Sequence, residues 1–131
     1  MKKEVPKALR NWFLVHFIVD VLFAVPLLAA PVYFLTALGW QVVDPVAARL
    51  VAAALLGIGI ESLLSYKSPA ETYLGMLNLK IIWSLAAVAG LILSLAGGAQ
   101  GRPPALWLLL FVFAAFNVLW IYWRIRLARA V

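Results

Sequence analysis

The chain has 131 residues, 66% of them hydrophobic and 12% charged, and a mean hydropathy of +1.04, so its long apolar runs need lipid rather than water around them. The lack of cysteine excludes disulfides, thiol chemistry, iron–sulfur clusters and cysteine-ligated zinc, and the single His16 excludes a bis-histidine haem within one chain. The net charge of +6 sits at the ends of apolar runs rather than among aromatics, which argues for a membrane interface and against a nucleic-acid partner.

The first apolar run predicts a transmembrane helix over residues 12–30, following a basic tail with Lys2, Lys3, Lys7 and Arg10. No cleavable signal peptide is read there, because the run is long and Ala29-Ala30-Pro31 puts proline directly after any small-residue cleavage site. Pro26 predicts a kink and Pro31 a break, with residues 31–40 a short interfacial stretch. Asp44-Pro45 then reads as a helix start, aspartate capping and proline at the first helical position, and predicts a second helix over 45–66. Ser68-Pro69-Ala70-Glu71 reads as a capping box ahead of a third helix over 69–96. Turn residues fill 97–104, and a fourth helix is expected over 105–123, ending in Arg124, Arg126 and Arg129. The fold class is therefore all-α, a single transmembrane domain over 1–131 built as a bundle of four transmembrane helices.

Lys and Arg counted near the helix ends place the N-terminal tail, Lys67 and the C-terminal arginines on one side, with Arg49 and Arg102 on the other. The expectation is a multi-pass protein of the cell membrane with both termini cytoplasmic. Trp12, Tyr66, Trp120, Tyr122 and Trp123 are expected as an inner aromatic belt, and Tyr33, Trp40 and Trp107 as an outer one.

Polar residues inside apolar helices are expensive and mark the place to look for function: His16, Asp20, Glu61, Asn78, Lys80 and Asn117. His16 and Asp20 are one turn apart and share a face, as do Asn117 and Trp120. Glu61 continues a small-residue stripe with Ala53, Gly57 and Ser65, which predicts burial against another helix, and Asn78 continues one with Ile82, Ala86, Gly90 and Ser94. Lys80 lies about 200° round the helix from Asn78, so it either snorkels to the cytoplasm or pairs with Glu61. Asn78 and Asn117 read as interhelical hydrogen-bonding residues.

His16-x-x-x-Asp20, Glu61 and Asn117-x-x-Trp120 together resemble the emopamil-binding and sigma-2 receptor (EXPERA) membrane fold. The resemblance implies a four-helix core around one lipophilic cavity, with Asp20 and Glu61 facing a ligand amine or developing cation, His16 shuttling protons and Trp120 offering its ring face. The stretch Leu38-Gly39-Trp40, Asp44-Pro45, Arg49-Leu50 and Gly57-Ile58-Gly59 is similar to small bacterial membrane proteins of the DoxX-like sort. Function is expected in the binding of a sterol- or isoprenoid-like lipophile, cationic or neutral, by His16, Asp20, Glu61, Asn117 and Trp120, with isomerase catalysis through His16, Asp20 and Glu61 as an extension. The alternative is an accessory or homo-oligomeric structural subunit, which needs only helices with small-residue faces. A proton-coupled transporter is disfavoured for want of paired broken helices. The expected partners are the lipid bilayer, the lipophile and a second copy of the chain; neither a cofactor nor a metal is expected.

Overall fold

Proline fixes φ near the helical value and has no N–H to leave unpaired, which makes it a good first or preceding residue for a helix. Among the described residues every helix starts at a proline or directly after one. The computed structural model describes residues 4–98 and 102–130. Among these residues there are five α-helices and no strand: α1 (Lys7–Ala29), α2 (Pro31–Ala37), α3 (Pro45–Leu64), α4 (Ala70–Gly97) and α5 (Pro104–Arg129). Pro6, Pro69 and Pro103 stand just before α1, α4 and α5, while Pro31 and Pro45 open α2 and α3. Asp44 caps α3 as expected, its carboxylate accepting from the Val46 and Ala47 N–H groups at 2.9 and 3.1 Å.

Three local expectations change. The capping box does not form, because Pro69 itself takes the cap position of α4 and no side chain bonds there. The interfacial stretch holds a short helix, α2, because the chain breaks at Ala30, before Pro31, and then resumes helical geometry. α1 runs on through Pro26 to Ala29, and the outer helices begin and end beyond the apolar runs, at Lys7 and Arg129. Lys2 and Lys3, used above for orientation, and residues 99–101 of the expected loop lie outside the described residues.

α1, α3, α4 and α5 are each long and apolar enough to cross a membrane. α1 packs antiparallel along α3: Gly59 abuts Asp20, and the Arg49 guanidinium donates to the Leu28 carbonyl at 3.1 Å. α4 packs antiparallel along α5, with Asn117 of α5 donating to the Ile81 carbonyl of α4 at 3.1 Å and Arg124 to Asn78 at 2.7 Å. The two helix pairs meet through a cluster around Leu9, Phe13, Tyr73, Leu77 and Trp120, while Ala24, Leu27, Ala52 and Leu55 make a second core between α1 and α3. Outward-facing positions carry Leu22, Leu64, Leu93 and Phe111, each more than 70% exposed. Water would not tolerate such a surface, and hydrocarbon would.

Burial corrects the aromatic belt. Trp12, Tyr33, Trp107 and Tyr122 are exposed, but Trp120 and Trp123 belong to the core, because they fill the space where α1 meets α4 and α5. The small-residue stripes were also assigned to the wrong side. Ala53, Gly57 and Glu61 on α3, and Asn78, Ile82, Ala86 and Gly90 on α4, face outward, while Ser65 at the end of the α3 stripe is buried; the inward face of α3 carries small residues of its own, Ala48, Ala52, Gly59 and Ser62, and that of α4 the bulkier Tyr73, Met76 and Leu77.

Candidate functional site

Where the two helix pairs converge, four helices bring polar side chains into one buried cluster. α1 supplies His16 and Asp20 on the face that begins with Phe13, and all three are buried. α4 supplies Lys80 and Ser84, again one turn apart, on the face that begins with Tyr73 and Leu77. α3 contributes Ser62, and α5 contributes Asn117 and Trp120.

Lys80 is the centre of the cluster, with no exposed surface. Its ammonium donates to Ser62 Oγ at 2.6 Å and meets His16 Nδ1 at 2.6 Å. It also lies over the Phe13 and Trp120 rings, 4.7 and 5.0 Å from their centroids, where the negative ring faces replace part of its lost hydration. The other ring nitrogen of His16, Nε2, stands 3.4 Å from Asp20 Oδ1. An ammonium has donors only, so Nδ1 accepts, and in a neutral imidazole the proton then sits on Nε2, facing the carboxylate. Lysine, histidine and aspartate thus form a line with one positive end, one negative end and a neutral ring between. The rings of Phe116 and Trp120 wall His16 at 4.9 and 5.2 Å.

The surroundings hold this line in place. Ser62 donates its hydroxyl hydrogen bond to the Ile58 carbonyl at 2.7 Å, leaving its lone pairs for Lys80. Ser84 donates to the Lys80 carbonyl at 2.7 Å and accepts from Asn117 Nδ2 at 2.9 Å, which ties the lysine's helix to α5. Gly59 admits Asp20: a Cβ at Gly59 would lie 2.8 Å from the Asp20 Cβ, so only glycine allows this approach of α1 to α3. Asp20 Oδ2 is buried and has no hydrogen-bond partner among the described residues.

Of the residues expected at a site, His16, Asp20, Asn117 and Trp120 come together, and Glu61 does not. Glu61 is exposed on the outer face of α3, where its carboxylate accepts from the Ser65 hydroxyl at 2.6 Å. It is neither buried nor paired with Lys80. The small residues beside it mark an outward strip of α3, whereas its chain neighbour Ser62 faces inward. Lys80 does not snorkel either. Its recognisable signal was the spacing Tyr73, Leu77, Lys80, Ser84, a single helical face headed by an aromatic. Asn117 does bond between helices as expected, and Asn78 does so at the surface through Arg124.

Two surface hollows, of about 310 and 380 Å³, lie away from the cluster: one on the last turns of α5 beside Tyr122 and Arg126, the other between α4 and α5 beside Ile92 and Trp107. Among the described residues no three His, Cys, Asp or Glu side chains stand together as metal ligands. No family model, curated protein or solved structure matches the chain.

Proposed function

We propose that the protein is a multi-pass protein of the cell membrane, its four long helices forming a transmembrane bundle with both termini cytoplasmic, and that it binds the polar group of a lipophilic small molecule at the Lys80–His16–Asp20 cluster. Asp20 Oδ2 carries this reading. A buried carboxylate oxygen without a partner costs several kcal/mol in hydrocarbon, roughly what a ligand hydroxyl or N–H donated to it would offset. The apolar body of such a ligand would lie along the seam between the helix pairs, a reading supported by the thin burial there. Past Ser84, α4 buries no described residue, and α5 buries none between Leu106 and Asn117.

Lys80 changes the expected ligand. The ring face of Trp120 already meets the Lys80 ammonium, which stands one imidazole ring away from Asp20, so a neutral sterol- or isoprenoid-like alcohol suits the cluster better than an amine. The resemblance to the EXPERA fold supports a lipophile site at His16, Asp20, Asn117 and Trp120 but not the preference for an alcohol over an amine, and isomerase chemistry would draw on His16 and Asp20 as the acid–base pair. Thermal-shift measurements on the purified protein with hydroxyl-bearing and amine-bearing lipophiles test the proposal. The expected result is stabilisation by the alcohols that weakens in Asp20→Asn; no shift from any of them would remove it.

A second reading, an accessory or homo-oligomeric subunit, draws support from the full burial of Lys80 and Trp120, which makes the cluster a clasp between helix pairs. It predicts that Asp20→Asn alters stability or oligomeric state and no ligand response.

A further inference from the structure

Both ring nitrogens of His16, the one histidine of the chain, face a group of opposite charge: Lys80 at 2.6 Å on Nδ1 and Asp20 at 3.4 Å on Nε2. A hydrogen-bonding function at one end alone would leave the second contact unexplained. Imidazole is the side chain that takes a proton on one nitrogen while releasing one from the other.

We propose that Lys80, His16 and Asp20 form a proton relay that interconverts a charged and a neutral state of the cluster and ends at the Asp20 carboxyl group. In the step, an N–H bond of the Lys80 ammonium breaks as Nδ1–H forms, and Nε2–H breaks as a bond to Asp20 Oδ1 forms. The products are a neutral amine, the other imidazole tautomer and a carboxylic acid. One proton enters the ring and one leaves it, so charge and atoms balance and no further reactant is needed.

Two opposing costs bring these states within reach of each other. Burial penalises the separated charges, which favours the neutral products. Ser62 and the Phe13 and Trp120 ring faces favour the ammonium. Glu61, the other acid near this level of α3, points outward to Ser65 and does not compete for the proton. The one movement required is closure of the His16–Asp20 gap to hydrogen-bond length, about 3 Å. Lys80 and His16 become proton-transfer residues in this scheme, and Ser62 and Ser84 position the lysine. Passage of a proton from the Asp20 carboxyl to a docked ligand rests on the binding reading above, whereas exchange within the triad does not.

Because His16 is the only histidine, labelling the full-length protein with ¹⁵N-histidine reports this ring alone. Solid-state NMR in bilayers, with no ligand added, should show both neutral tautomers of His16 in the wild type, their ratio changing with temperature. Asp20→Asn removes the acceptor and should leave Nε2–H alone, and Lys80→Met, which removes the donor at Nδ1, should also leave one tautomer. A wild-type ring that holds a single tautomer at every temperature, or is permanently imidazolium, overturns the relay whether or not either variant folds. Exchanging tautomers in a protein that binds no lipophile would keep the relay and remove the binding reading.

Discussion

Lys80 is the side chain whose loss should be felt most. Removing one partner of a buried charge pair leaves the other uncompensated, at a cost of about 3–5 kcal/mol, and Lys80→Met leaves the buried Asp20 facing His16 alone. Unfolding in mixed micelles should show that loss. Adding Asp20→Asn should then cost less than the two single changes summed, by about 0.5–3 kcal/mol, because the groups share one network. Glu61→Gln, in contrast, should lie within about 0.5 kcal/mol of wild type, since the residue is exposed and its one bond is local. Equal losses at Glu61 and Lys80 would contradict the placement of both. The sequence showed the pairs His16 with Asp20 and Asn117 with Trp120, because one-turn spacing decides which side chains share a face. Which face of α3 turns inward is not legible, because small residues line both sides: Ala53 and Gly57 face out, Ala52, Gly59 and Ser62 face in. Trp120 also proves to be a core residue, so its truncation tests stability as well as binding.

At the scale of helices, two glycines two residues apart on α3 separate contact from mere composition. A Cβ at Gly59 would collide with Asp20, whereas one at Gly57 meets nothing within 4 Å. Gly59→Ala should therefore push α1 from α3 and cost about 1–3 kcal/mol, while Gly57→Ala should be neutral or stabilise by about 0.4–1 kcal/mol through the unfolded chain. Thermal unfolding of the two variants checks this, and equal behaviour would contradict the α1–α3 packing. Asp44→Ala should cost about 1 kcal/mol by removing the cap of α3. The starts of α3, α4 and α5 were the most legible ends, because proline and aspartate act locally. The capping box at Ser68 failed on the same local chemistry, Pro69 having taken the cap position. The start of α1 and the end of α5 were hidden, since helix geometry extends beyond the apolar run into charged residues and hydropathy does not report it.

For the whole molecule, the proposed orientation rests on basic residues at one end: Lys7, Arg10, Lys67, Arg124, Arg126 and Arg129. A reporter fused after the C-terminus should read cytoplasmic, and one inserted between α4 and α5 external; the reverse pair would overturn the orientation. Four apolar helices were legible because hydropathy over about 20 residues is a strong signal. Their pairing, α1 with α3 and α4 with α5, depends on side-chain fit that no single helix displays. Organic extraction of protein purified in mild detergent, followed by mass spectrometry, tests the central claim most directly. A hydroxyl-bearing lipophile retained in stoichiometric amount by the wild type and lost from folded Asp20→Asn is the predicted result. A wild type that retains no such species, or an Asp20→Asn protein that retains it equally, would contradict a binding site at Asp20.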